Sequence, residues 1–276
     1  MLKEKENAMA KNTNLRLVDE FLDQPTTTTR SGRGRKGVRG SGQQTSRQAS
    51  RDIRLEEGIQ KKPSDARWSG GLKPRSPGQQ DAIAVIRASD MTFLIGPAGT
   101  GKTVIAISEA VDALDSGKVN RIVLTRPAVE AGEKLGFLPG DMQQKLDPYM
   151  RPLYDALMCR MSPQRMTSLL NDRTIEIAPM GFMRGRTLSH CAVVVDEAQN
   201  ATLGQLKMMV TRLGEGAFMV LTGDLTQSDL DPGDSGLQGI LQLAEGSDPG
   251  IGVVRLSDAD VVRHRVVRSL VRAFAA

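Results

Sequence analysis

Aromatic residues are scarce, at 3% of 276 residues, with one Trp, two Tyr and six Phe. The basic stretch 30–51 contains none of them, which excludes base stacking from that stretch. Cysteine is limited to Cys159 and Cys191, with no pairing pattern. That excludes a disulfide framework, and two reduced thiols in a cytoplasmic protein are expected. Cys191 opens an apolar run, where a small buried hydrophobe is the plain role. His190 and His264 are the only histidines and lack metal-ligand spacing, so both are read as structural or surface residues. No apolar run approaches the roughly 18–20 residues that span a bilayer, so no membrane partner is expected. Lys3 and Lys5 are followed by no apolar core, so no secretory leader is expected. No fixed-period repeat is visible, which excludes a solenoid.

The charge is unevenly distributed. Of 37 Lys and Arg and 32 Asp and Glu, the first 70 residues hold 15 and 9. The remainder holds 22 and 23, so a +6 segment precedes a core of net −1. Residues 30–51 carry six Arg and one Lys and no acid. Such a stretch buries too little apolar surface to fold alone. It is either a flexible phosphate-binding arm for single-stranded RNA or DNA, or a solvated linker. Residues 12–22 allow a short amphipathic helix, with Leu15, Leu17, Val18, Phe21 and Leu22. Two regions are therefore expected: a flexible, basic Arg/Gly/Ser-rich segment over 1–70, and one α/β domain over 71–276.

The most informative string is Gly96-Pro97-Ala98-Gly99-Thr100-Gly101-Lys102-Thr103, a complete G-x-x-x-x-G-K-[ST] phosphate loop. An apolar segment, 91–95, precedes it, and a run free of Gly and Pro, 104–114, follows. Strand, loop and helix are the context the motif requires. Backbone N–H groups around the glycines would cradle phosphates at a positive helix end. Lys102 would reach the β- and γ-phosphates, and the Thr103 hydroxyl would sit on Mg²⁺. A second helix is expected over 81–87. Apolar runs recur at 121–125, 174–178, 191–195, 217–222 and 252–256. Near-continuous apolar strands alternating with helices predict a mostly parallel sheet covered on both faces.

Asp196 and Glu197 end one of these strands. Asp196 would hold Mg²⁺ through water, and Glu197 would orient or deprotonate the attacking water. The plain alternative is acids at a helix start. Gln227 ends the next strand's polar loop, where a neutral amide suits a γ-phosphate sensor; a simple Gly-Asp turn is the alternative. Gln79 could contact an adenine edge. Arg126 follows the second strand, which places it with the nucleotide contacts on the active edge. Arg184, Arg186 and Arg263 are candidates for stabilising phosphoryl charge, against the plain reading of solvated or ion-paired side chains.

With these residues in hand, the chain resembles the PhoH-like ATPases, RecA-like proteins related to the core of superfamily 1 helicases. The matching strings are Pro77–Gln79, Ile95–Thr103, Arg126–Asp141, Met183–Leu188, Val195–Asn200, Thr222–Gln227 and Asp260–His264. The resemblance implies a three-layer αβα P-loop NTPase fold, ATP binding and hydrolysis with Mg²⁺, involvement with RNA, and a homo-oligomeric ring, often a hexamer. It supports Gln79 at adenine and Gln227 at the γ-phosphate. It also implies arginines acting across a subunit interface, with Arg263 the leading candidate. Two departures stand out. Arg265 occupies a position where the family usually has Pro, and residues 1–70 do not resemble the RNA-binding extension of some members.

The expected function is therefore a Mg²⁺-dependent ATPase coupled to RNA. The rival is a nucleotide-switched scaffold with slow hydrolysis. A metabolite kinase lacks a visible acceptor pocket. A processive helicase usually pairs two such cores.

Overall fold

The computed structural model describes residues 70–127, 142–231, 233–263 and 266, with backbone alone for 142–147. The expected 12–22 helix, all but the last residue of the basic 1–70 segment and most of the 126–141 string lie outside these residues. Six parallel strands form one sheet: β1 Met91–Ile95, β2 Arg121–Arg126, β3 Ile175–Pro179, β4 Cys191–Val195, β5 Phe218–Gly223 and β6 Ile251–Arg255. Their order across the sheet is β3-β2-β4-β5-β1-β6. Strand β5 thus separates the phosphate-loop strand β1 from the carboxylate strand β4.

The helices are α1 Pro77–Ala88, α2 Lys102–Asp115, α3 Met142–Met158, α4 Pro163–Asn171, α5 Leu203–Val210 and α6 Leu237–Ala244. Alternate strand residues explain the three layers. Leu94, Leu124, Val194 and Val220 pack with α1, α2, α3 and α4 on one face. Phe93, Val123, Val193 and Leu221 pack with α5 and α6 on the other. Both side-chain sets are apolar because both sheet faces are covered. The expected αβα fold is the observed one.

Several boundaries differ from the sequence reading. Helix α1 begins at Pro77, not Asp81. Ser76 Oγ accepts the Gln79 N–H and Pro77 takes the first turn, where its missing N–H costs nothing. Helix α2 begins at Lys102 because left-handed Gly101 (φ 84°) caps it. Strand β3 begins one residue later than expected, since Thr174 N–H is drawn back to Asp172 Oδ1 in a turn through Arg173 at φ 63°. Strand β5 also runs one residue later than the apolar run predicted, and β6 one residue earlier.

Candidate nucleotide site

The parallel sheet places the C-terminal ends of β1, β4 and β5 side by side, where helix starts and loops converge. There, Ala98, Gly99, Lys102 and Thr103 from the loop face Glu197, Asp224 and Gln227 across a cleft of 220 Å³. Gly99, at φ 87°, adopts a conformation that side chains resist. The Arg263 side chain lies directly against it, leaving no room for a Cβ. The next link is backbone: Val262 N–H donates to Gly99 O at 2.9 Å. Arg263 therefore rests on the phosphate loop of its own chain.

Thr103 and Asp196, 93 residues apart, meet directly: Thr103 Oγ1 donates to Asp196 Oδ1 at 2.7 Å. Thr222 Oγ1, from β5, donates to the same oxygen at 2.7 Å. Asp196 is almost fully buried, so these bonds fix its orientation. Glu197 follows at φ 54°, a strained value for a side-chain-bearing residue. Its carboxylate accepts a bond from Gln199 Nε2 and faces Arg126 Nη2 at 3.2 Å. Arg126 also approaches Asp196 Oδ2, at 3.9 Å, and donates to Tyr149 O.

Lys102 Nζ donates to Gly96 O at 2.6 Å and Pro97 O at 3.0 Å. Burial holds its ammonium below the usual lysine range. Asp224, Glu197 and Asp196 offset this, and nearby Arg263 adds like-charge repulsion. Gln79 is buried, and its amide joins α1 to the loop: Oε1 accepts from Arg75 N–H, and Nε2 donates to Thr100 O. Each amide group keeps further capacity for a ligand. Gln227 is exposed at the cleft rim.

Two expected arginines lie away from the cleft. Arg186 forms a two-bond ion pair with Glu176, at 2.6 and 2.7 Å. Arg184 is exposed. His264 lies outside the described residues, and His190 is exposed. Cys191 is buried, as expected of an apolar strand opening, while Cys159 is exposed. No described helix is long and apolar enough to cross a membrane.

Several residues have roles the sequence reading missed. Gln199 links Glu197 to the β5 loop, because its Oε1 accepts the Asp224 N–H at 3.0 Å. Asn200 and Asp229 exchange two bonds of 2.9 Å, and Ser228 Oγ donates to Gln199 O. Asp224 reads in the sequence only as part of a turn. The string Asp-Glu-Ala-Gln-Asn contained the signal, since an amide two residues beyond a carboxylate is well placed to orient it. A larger cavity, 310 Å³, lies beside Phe218 and Lys118, away from the loop. Its Glu109 is already paired with Arg87.

The PhoH-like protein family model matches residues 71–275. A PhoH-like protein of Mycobacterium tuberculosis H37Rv is 50% identical over 205 residues, covering 74% of this chain and 58% of that protein. A PhoH-like protein of Bacillus subtilis is 48% identical over 204 residues, covering 74% and 64%. Protein PhoH of Escherichia coli K12 is 40% identical over 214 residues, covering 76% and 60%. The matched part thus spans about three fifths of these relatives' length.

Proposed function

The chain belongs to the PhoH-like protein family, and from that premise we propose that it binds ATP with Mg²⁺, hydrolyses it, and couples this to single-stranded RNA. The observation that carries the reading is the Thr103–Asp196 contact beneath the phosphate loop, with Glu197 beside it. A phosphate loop alone binds phosphate. A loop threonine bonded to a buried strand-end aspartate is an arrangement suited to a hydrated divalent cation.

The donor set fits Mg²⁺. No described group of three His, Cys, Asp or Glu side chains could hold a metal by itself. Mg²⁺ keeps several waters and takes one or two protein oxygens plus phosphates, so Thr103 and Asp196 suffice. Bound Mg²⁺ would neutralise charge on the β- and γ-phosphates. Lys102 would exchange its two loop carbonyls for phosphate oxygens. Glu197 would orient the attacking water and take its proton, and Gln227 would bond that water or the γ-phosphate. Gln79 would meet the adenine edge, and Arg126, with Arg263, would face the phosphates.

The basic arm supports RNA as partner. So does Phe182, a stacking face 60% exposed just beyond β3, with exposed Arg184 two residues on in the chain. A homo-oligomeric ring in the cytoplasm completes the proposal; the two unpaired thiols accord with that compartment. One observation favours slow turnover in a nucleotide-switched scaffold. Arg126 and Gln199 both hold the Glu197 carboxylate.

ATP turnover and solution mass, measured with and without single-stranded RNA, test the coupling. RNA should raise turnover, and ATP should favour the assembled form. Deleting residues 1–70 should leave turnover intact while flattening the salt dependence of RNA binding. On logarithmic axes the slope should fall by about 0.7 for each phosphate that the arm neutralises. An unchanged slope would reject the arm as the RNA contact, and turnover indifferent to RNA would favour the scaffold.

A further inference from the structure

Asp224, one residue beyond β5, is a buried carboxylate with one oxygen engaged and the other unbonded. The residue is 4% exposed. Its Oδ1 accepts from Thr226 N–H at 2.9 Å and Thr226 Oγ1 at 2.7 Å. Its Oδ2 is buried and has no hydrogen-bond partner among the described residues. A buried carboxylate oxygen left unpaired is costly, so its presence calls for a partner in another state of the molecule.

The position indicates which state. Asp224 lines the same cleft as Lys102, Thr103 and Glu197. Of the three carboxylates acting on Lys102, it exerts the largest influence. Its backbone N–H is held by Gln199 and its Oδ1 by Thr226, so the side chain cannot easily turn away. An anion facing the phosphate loop repels a bare polyphosphate. With a hydrated divalent cation on the phosphates, the same anion becomes an acceptor for a cation-bound water.

We propose that Asp224 is a specificity-determining residue of the nucleotide site: its unpartnered oxygen accepts a hydrogen bond from the water shell of a divalent cation carried by the nucleotide, and its charge disfavours nucleotide arriving without one. The inference rests on the Mg²⁺–ATP reading of the cleft. It concerns recognition, so binding and not turnover is the readout.

The test measures the affinity of a fluorescent ATP analogue, with Mg²⁺ and with Mg²⁺ removed by EDTA, for the wild-type chain, Asp224→Asn and Thr226→Val. Asp224→Asn keeps the shape and the acceptor for Thr226 and removes the charge. It should bind metal-free analogue more tightly and lose about tenfold in the ratio of the two affinities, the size of one charge-assisted hydrogen bond. Its ligand-free melting temperature should equal or exceed that of the wild type, because a buried charge is gone. Thr226→Val disturbs the turn but keeps the charge and should retain the wild-type ratio.

An unchanged ratio in Asp224→Asn overturns the inference. So does an equal loss in Thr226→Val, which would assign the effect to turn geometry. If Asp224→Asn melts well below the wild type, its carboxylate is a structural group and the inference falls. If the wild-type chain binds no analogue under either condition, the reading of the cleft fails with it; wild-type binding with an unchanged ratio removes this inference alone.

Discussion

Lys102 is held in a balance of opposing charges. Burial disfavours its ammonium, while three carboxylates favour it, and the outcome is a lowered pKa. The sign has a functional consequence. Phosphate attraction needs the charged form, so it is lost as pH rises through the lowered value, earlier than for an ordinary lysine. The alkaline limb of kcat/KM for ATP, which reports the free protein, should therefore fall below the usual lysine range. Lys102→Arg should abolish that limb whatever activity it retains, because guanidinium does not titrate there. A limb at the ordinary lysine position would show that the cleft leaves Nζ unperturbed. The residues of the phosphate loop were legible in sequence because each has a fixed chemical task at a fixed spacing. Asp224 and Gln199 were not, because a turn aspartate and a surface glutamine have the same letters. Gln199 is carried to Glu197 by the chain itself, but only the sheet order, with β5 beside β4, brings Asp224 to both.

The start of α1 shows how one element reaches the site. Gln79, in its first turn, donates to the Thr100 carbonyl of the loop. Asp260 fixes that turn from the other side. It accepts from Ser257 N–H and lies so close to Gly78 that a Cβ there would approach Asp260 Oδ1 to 2.5 Å. The Ser257 backbone bond, with Ser76 and Gly78, holds the Asp260 carboxyl below its usual range. Gly78→Ala should therefore cost about 1–3 kcal/mol of stability. The Asp260 contribution has the sign of a depressed carboxylate: it is present above the unfolded pKa and lost as pH falls through the folded one. Melting curves of both chains across acid pH provide the check. A neutral Gly78→Ala would show that the two segments part readily. Pro77 and Gly78 were legible only as letters of a family string. The reason for the glycine lies in Asp260, 182 positions on in the sequence.

For the molecule as a whole, alternating apolar runs were enough to predict a doubly covered parallel sheet, because strands buried on both faces exclude polar residues. Strand order was not legible, since similar apolar runs pair in several ways. That order makes the site: β5 lies between β1 and β4, so Thr222 and Asp224 stand beside the phosphate loop and Asp196. The arrangement separates binding from hydrolysis among named groups. On the proposed function, Lys102 and the loop would bind phosphate, while Glu197 would act on water. Binding of a fluorescent ATP analogue and phosphate release, measured together on the wild-type chain, Lys102→Ala and Glu197→Gln, test this division most directly. The account predicts that Lys102→Ala loses both, and that Glu197→Gln binds within about threefold of the wild type while losing at least about 10²-fold in turnover. Wild-type turnover in Lys102→Ala, or equal loss of binding and turnover in Glu197→Gln, would contradict it.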